Sequence, residues 1–241
     1  MNATVSLRGA QRLVVENRNG DVVVEPDPDL TDHAVVNATL RVVGDTGLFD
    51  DVSVETAVDD ETLTVETVYA TVRARRVAVT LVVRVPAEFA VRRATTANGD
   101  VEVSDLPGDA TVESANGDAL ATRVDGFVTV RSANGDATAR DCSGIVGAST
   151  ANGNVEVDVR AIRGDVSLTS GNGDVAAELA SDLDATLVCS TANGDVDVDV
   201  EDLAVTVTRD EPRRFEGTLG DGGDTITASS GNGDVELYAL D

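Results

Sequence analysis

The sequence predicts an all-β protein, a parallel β-solenoid with coils of about 18–21 residues preceded by a less regular β region. The first observation behind this is a tetrapeptide, Ala-Asn-Gly-Asp or a near copy, whose Asn recurs at positions 19, 98, 116, 134, 152, 172, 193 and 232. From Asn98 to Asn152 the step is 18 residues each time. Self-similarity at that length leaves room for strands and turns but not for a helix pair. The second observation is period-2 alternation on both sides of every copy. The third is composition: aromatics make up 2% of the 241 residues and Trp is absent, while Val, Ala, Thr and Gly abound. Such residues build a thin, β-branched interior rather than a thick globular one.

Aligned on Asn98, Asn116, Asn134, Asn152, Asn172, Asn193 and Asn232, the copies read as columns. Six positions before the Asn stand Ala110, Val128, Val146, Val166, Leu187 and Ile226, and four before it Val112, Val130, Ala148, Leu168, Cys189 and Ala228. Polar or small residues fill the offsets between them, which is the pattern of a half-buried strand entering the turn. After the turn Val101, Ala119, Ala137, Val155, Val175, Val196 and Val235 point inward, with Glu102, Glu156, Asp197 and Glu236 outward. A second bend precedes each copy, at Leu106-Pro107-Gly108, Val124-Asp125-Gly126, Cys142-Ser143-Gly144 and Ile162-Arg163-Gly164, where Gly is expected to take positive φ. Asn-Gly is also the strongest hairpin signal, so an antiparallel meander is the competing topology. A meander alternates strand direction and does not keep one turn type at one offset. The even columns therefore favour parallel, in-register stacking.

Stacked coils bring like residues roughly 4.8 Å apart. At that spacing the Asn column is expected to form a turn-stabilising side-chain ladder of buried amides. It is joined by the hydroxyl column two positions earlier, Thr96, Ser114, Ser132, Thr150, Ser170, Thr191 and Ser230, which parity turns inward. The Asp column, Asp100, Asp118, Asp136, Asp174, Asp195 and Asp234, is interrupted by Asn154. It reads either as solvated turn carboxylates or as a row binding calcium through carboxylate and carbonyl oxygens. A period of 18 to 21, rather than the nonapeptide of calcium-loaded β-rolls, favours the solvated turn.

The chain divides near residue 90. Residues 1–90 hold the Asn19 copy and alternating runs at Val52 to Val58, Leu63 to Val68 and Val77 to Val85, read as degenerate coils or antiparallel strands capping the solenoid. Residues 91–241 hold the repeats, with a loop insertion near 209–224 that stretches the last interval to 39 residues, the length of two coils. Arg73, Arg75, Arg76, Arg84, Arg92 and Arg93 gather a third of the basic residues in a short stretch. They form either an anion or partner patch, or one side of a cross-strand pairing with Glu55, Glu61 and Glu66.

The 44 acidic residues against 18 basic ones, all of them Arg, give a net charge of −26. Such a surface repels phosphate backbones and makes nucleic acid a poor partner. At about 1 M salt the Debye length falls to roughly 3 Å and self-repulsion largely disappears, so the composition reads as adaptation to molar salt. No apolar run reaches the length of about 18 residues that marks a membrane span, and the N-terminus lacks the apolar core of a signal peptide. A cytoplasmic location is the expectation. His33 is the only histidine and lies in a polar, Asp-flanked stretch, so a Ser-His-Asp device or a zinc site has little to draw on. Cys142 and Cys189 fall in apolar columns and read as core fillers two coils apart, too far for a disulfide. No cofactor is expected, calcium in the Asp column being the one alternative.

The segment Val79-Thr-Leu-Val-Val-Arg-Val-Pro-Ala-Glu-Phe-Ala-Val91, then Ala97-Asn-Gly-Asp-Val101 and the iterated Leu-x-Gly and Asn-Gly-Asp-Val units, resembles the putative adhesin family of domains over roughly residues 75 to 241. The resemblance implies a right-handed single-stranded β-helix, often attached to cell-envelope or stress-response proteins, with no catalytic residues to carry over. It makes the cell surface the alternative location. The expectation is thus a non-enzymatic interaction or scaffold protein, monomeric or assembled end to end, whose partner is a protein or a cell-surface glycan. A self-assembling scaffold is one alternative, and a calcium-dependent β-helix that binds or cleaves polysaccharide is another. Against cleavage, no column pairs an acid with a base distinct from the repeat itself.

Overall fold

A computed structural model describes residues 1–199, 203 and 205–240. Short runs of alternating small apolar and polar residues can bury only one face, and here they form strands that pack as two sheets around one core. The first ninety residues give β1 (Asn2–Ser6), β2 (Arg12–Glu16), β3 (Val22–Pro26), β4 (His33–Arg41), β5 (Val52–Asp59), β6 (Thr62–Tyr69) and β7 (Ala78–Val85). The regular repeats give β8 (Ala90–Thr96), β9 (Val101–Ser104), β10 (Ala110–Asn116), β11 (Ala119–Thr122), β12 (Phe127–Asn134), β13 (Ala137–Arg140), β14 (Gly144–Asn152), β15 (Val155–Val159), β16 (Val166–Asn172) and β17 (Val175–Leu179). The C-terminal part gives β18 (Ala185–Asn193), β19 (Val196–Val198), β20 (Val205–Glu211), β21 (Arg214–Leu219), β22 (Thr225–Asn232) and β23 (Val235–Ala239). Two 3-10 turns, Thr46–Asp51 and Ala74–Arg76, are the only helical segments among the described residues.

The first sheet runs β1-β4-β7-β3-β9-β11-β13-β15-β17-β23-β19 and the second β20-β21-β18-β22-β16-β14-β12-β10-β8-β2-β6-β5. Each Asn-Gly turn carries the chain from the second sheet to the first, so every coil contributes one strand to each. Successive coils pair in parallel with like residues in register: Val112 lies opposite Val130, Ser114 opposite Ser132 and Asn116 opposite Asn134. An antiparallel meander through the repeats is thereby excluded.

The order of the stack departs from the order of the chain at both ends. β16 pairs not with β18 but with β22, and β22 pairs with β18 on its other edge. In the first sheet β23 likewise lies between β17 and β19. The last coil of the sequence is thus the penultimate coil of the stack. At the other end β2 and β3 sit between β6 and β7 on one side and β8 and β9 on the other, so the Asn19 copy adjoins the Asn98 copy directly. Antiparallel strands finish the stack: β1, β4 and β5 at the N-terminal end, β21 and β20 at the other. The stretch read as a loop insertion, 209–224, holds the end of β20, the whole of β21 and the turn into β22.

The inward columns make the core. Val112, Val130, Leu168, Cys189, Ala228, Val155, Val175 and Val235 are all fully buried. Val146 corrects the column assignment: the register slips between Val128 and Thr129, Ile145 takes the interior place and Val146 is bulged out, 39% exposed. A second slip between Leu13 and Val14 leaves Arg92 unpaired on β8. The bend residues need correcting too. Gly126 and Gly144 do not adopt positive φ; Asp105, Arg123 and Asp141 do, at 58°, 51° and 54°. Gly126 serves close approach instead, since a Cβ there would lie 2.3 Å from the Gly108 carbonyl oxygen.

Cys142 and Cys189 are free and buried, as core fillers are, but more than two coils apart. Cys142 lies between β13 and β14 and Cys189 on β18, with β16 and β22 interposed. Burial pushes the Cys189 thiol up to about 12. It also raises Cys142.

Candidate interaction strip along the Asn-Gly turns

The turns line up along one edge of the stack and are joined by three sets of hydrogen bonds made by side chains. Nδ2 of each Asn donates to Oδ1 of the Asn in the neighbouring coil: Asn116 to Asn98 at 3.1 Å, Asn134 to Asn116 at 3.0 Å, Asn152 to Asn134 at 2.9 Å. The row continues from Asn172 to Asn152, Asn232 to Asn172 and Asn193 to Asn232, at 2.8–2.9 Å. These amides are exposed, not buried as parity suggested, because they face out at the rim of the turn. Asn19 stands at the N-terminal end, where its Nδ2 meets the carbonyls of Arg75 and Val77.

The hydroxyl column is buried but does not bond to itself. Ser114 Oγ donates to the Gly99 carbonyl at 2.8 Å, Ser132 to Gly117 at 2.8 Å and Thr150 to Gly135 at 2.7 Å, each reaching one coil back. Ser170, Thr191 and Ser230 repeat the contact. Asn17 takes the same position in the Asn19 copy and donates to Gly20 and Val79 carbonyls at 2.9 and 2.7 Å. Thr67 ends the row, its Oγ1 buried without a partner. The alignment omitted Asn17 because it began at the Asn98 copy, although the offset of Asn17 from Asn19 was the signal.

The Asp column forms the third set. Oδ1 of Asp100 accepts the Asp118 backbone N–H at 2.8 Å, and Asp118 accepts that of Asp136 at 2.8 Å. Asp136 accepts from Asn154 at 2.7 Å, and Asn154 Oδ1 accepts from Asp174 at 2.9 Å, so the amide does the carboxylate's work without its charge. Asp174 accepts from Asp234 and Asp234 from Asp195. Asp21, outside the aligned set, begins the row by accepting from Asp100 at 3.1 Å. One oxygen of each carboxylate but that of Asp195, which ends the row, is therefore committed to holding a turn. No group of three or more His, Cys, Asp or Glu placed to hold a metal ion occurs among the described residues.

Between the hydroxyl and Asn columns stand Ala115, Ala133, Ala151, Gly171 and Ala192, all exposed. Small side chains there, with amides held to a common plane by the ladder, leave a flat strip with a repeat of roughly 4.8 Å. On the strand leading into the turns Glu113 is bridged by Arg93 at 2.6 Å and Arg131 at 3.1 Å. Charge is also paired at the second bends, the far ends of these strands, where Asp109 meets Arg163 at 2.7 Å. Arg123 grips both oxygens of Asp105 at 2.6 and 2.8 Å, and that hydrogen bonding holds the Asp105 carboxyl below its usual range.

The six clustered arginines do not share one face. Arg84 lies on β7 in the first sheet against Glu25 at 2.7 Å, Arg92 and Arg93 on β8 in the second, and Arg73, Arg75 and Arg76 at the 3-10 turn. Nor do they pair with the expected acids: Glu55 and Glu66 face each other across β5 and β6, and Glu61 lies 3.9 Å from Arg12. His33 is part-exposed on β4, with Nδ1 2.9 Å from Asp32. A cleft of about 670 Å³ at this end is lined by Arg8, Gln11, Arg12, Asp32, Glu88 and Phe89 among others.

The sequence profile described as Toastrack DUF4097 matches residues 10–238. The chain belongs to the Toastrack DUF4097 family. The match takes in the Asn19 copy as well as the regular repeats, so the Toastrack unit extends well before the start of the putative adhesin resemblance near residue 75. Several solved structures are similar to the chain at low identity. A putative cell adhesion protein from Clostridium sporogenes is 11% identical, with 100% of this chain and 99% of that one covered and a TM-score of 0.39. A putative adhesin from Bacteroides fragilis is 12% identical, covering 100% and 96%, with a TM-score of 0.47. A putative lipid binding protein from Parabacteroides distasonis is 14% identical, covering 98% and 96%, with a TM-score of 0.45. Comparison with curated proteins gives no match. No helix of this Toastrack chain, among the described residues, is long and apolar enough to cross a membrane.

Proposed function

We propose that this Toastrack chain is a non-enzymatic interaction protein, a right-handed single-stranded solenoid that presents its Asn-Gly-Asp edge to a protein or surface-glycan partner in molar salt. The observation that carries the reading is the flat strip itself. Its amides and carboxylates are spent on neighbouring coils, its small Ala column stands clear, and its repeat matches an extended or polymeric ligand better than a compact substrate. Calcium is not needed to neutralise the Asp row, because every carboxylate in it but the terminal Asp195 already accepts a backbone N–H and molar salt screens the remainder.

The test is adhesion of the purified protein to cells of the source organism and to their surface glycans in molar salt. Ala133→Arg, which roughens the strip without touching the core, is compared with the native chain. Binding that falls for Ala133→Arg at an unchanged melting temperature supports the reading; equal binding by both, or none by either, refutes it. Treating intact cells with external protease in growth-strength salt separates the two locations: loss of the chain marks a surface protein, protection until lysis an internal scaffold.

A second reading, end-to-end assembly, is favoured by strand polarity. β5 closes one end of the second sheet and runs against the coils, whereas β20 closes the other and runs with them. A second copy placed by translation sets β5 beside β20 in antiparallel fashion. Elution in molar salt that shifts with protein concentration supports assembly, and a constant monomer sinks it.

A further inference from the structure

The ladders have direction, and their last turn differs from the rest. Each turn glycine donates its N–H to the Asn carbonyl of the next coil: Gly20 to Asn98 at 2.6 Å, Gly99 to Asn116 and Gly117 to Asn134 at 2.8 Å, Gly135 to Asn152 and Gly153 to Asn172 at 2.9 Å. Gly173 donates to Asn232 at 2.8 Å and Gly233 to Asn193 at 2.9 Å. Gly194 lies in the final coil, and its N–H has no acceptor among the described residues. Asn193 is final in the same sense: its Nδ2 donates to Asn232, but nothing described donates to its own Oδ1. The cap does not repair this. Thr191 N–H bonds to the Arg213 carbonyl at 3.1 Å and Val196 N–H to that of Pro212 at 2.9 Å, on either side of Gly194. Pro212 has no N–H to offer.

An Asn-Gly pair holds both partners of an intramolecular acyl transfer. The Gly nitrogen attacks Asn Cγ, a C–N bond forms, and Nδ2 departs as ammonia carrying the proton that the Gly nitrogen gives up. Water then opens the succinimide at one carbonyl or the other, leaving aspartate or isoaspartate. Gly imposes no Cβ hindrance on the attack, and the rate depends on the nitrogen being free to approach Cγ. Within the stack that freedom is denied by two restraints that the end turn lacks in whole or in part: the Gly N–H is bonded to a carbonyl, and the Asn amide is held between two others. Close approach does not separate the turns, since a Cβ would lie 2.3 Å from the Gly117 oxygen at Gly135 and 2.2 Å from the Gly233 oxygen at Gly194.

We propose that Asn193 is the modification site of this chain, an amide that converts to aspartate and isoaspartate in the folded protein while the stack protects the other Asn-Gly pairs. Conversion removes the Nδ2 donor to Asn232 and places a carboxylate beside Asp195 in the same turn. Isoaspartate adds a backbone atom, which breaks the in-register pairing of β18 with β22 next to it. The modified end coil therefore loosens first.

The sequence supplies its own control, because Thr96-Ala-Asn-Gly-Asp100 and Thr191-Ala-Asn-Gly-Asp195 are identical pentapeptides. The native chain is incubated in mildly alkaline molar-salt buffer, with and without denaturing urea, then digested and mapped by mass spectrometry for amide-to-acid conversion and isoaspartate. The expected result is conversion at Asn193 about tenfold or more faster than at Asn98 in the folded protein, the factor that loss of one or two hydrogen bonds allows. In urea the two rates converge. Equal rates in the folded state, a faster interior site, or a lead for Asn193 that persists in urea would each overturn the proposal.

Discussion

Asn232 donates from Nδ2 to Oδ1 of Asn172 at 2.8 Å across sixty positions of sequence, whereas Asn193, much nearer in the chain, bonds to Asn232 instead. The coil of β22 and β23, last in the sequence, is thus a wedge between two coils made earlier. In a stack ordered as the chain is ordered, the last coil is an end and its loss is local. Here it contributes the strand on which both β16 and β18 depend.

Removing residues 225–241 is therefore expected to release the whole C-terminal part, not one coil. Limited proteolysis in molar salt should leave a resistant core ending near Leu179, with cleavage throughout 180–224. Resistance through β18 and β19 after the same truncation would count against the wedge.

Ser132 donates to the Gly117 carbonyl from a position 7% exposed. Ser132→Ala leaves that oxygen without its partner and is expected to cost about 1–2 kcal/mol, read as a lowered melting temperature. Ser132→Thr should be nearly neutral, since Thr96, Thr150 and Thr191 fill the same column and all three make the same contact.

Asp136 separates the two duties of the Asp row. Asp136→Ala loses both the charge and the acceptor of the Asn154 N–H, so it should be less stable than Asp136→Asn by about 1 kcal/mol at any salt concentration. Asp136→Asn keeps the acceptor and removes a charge from a run of like charges. It should stabilise in dilute buffer, with the gain fading towards about 1 M salt. A chelator should leave all three melting temperatures unchanged at constant salt.

These repeats were legible because each inward column holds one residue class at one offset, and the hydroxyl and Asp positions follow from the same alignment. Stacking order was not legible. Asn232 aligns with Asn172 as well as Asn193 does, and column identity is blind to which coil lies beside which. The only trace was the alternation in Val205 to Leu219, which belongs to the β20–β21 hairpin rather than to a loop. Val146 misled because a bulge changes parity without changing the Asn-to-Asn step. The arginines misled for another reason: neighbours in sequence separate in space wherever the chain crosses from one sheet to the other.

Burial raises the Cys189 thiol from 9.0 to about 12. The folded state thus keeps its proton where the unfolded state has lost it. The contribution to stability is full below the unfolded value and declines as pH rises through the window up to the folded one. Cys189→Val, the residue type of the same column at Val112 and Val130, should flatten the alkaline limb of a stability-versus-pH curve while leaving neutral stability close to native. An unchanged alkaline limb would show that other groups set it.

The most direct test of the out-of-order stack is a pair of engineered disulfides. Thr169 lies opposite Ser229, and Ser229 opposite Ser190 on its other side. Thr169→Cys with Ser229→Cys places the two thiols on adjacent strands, within the Cα range of about 4.4–6.8 Å that a disulfide needs. Thr169→Cys with Ser190→Cys places them two strands apart, near 10 Å by the usual spacing. The account predicts cross-linking of the first pair and not the second under mild oxidation of the folded protein. Cross-linking of the second pair alone would mean that the coils stack in chain order, and would contradict it.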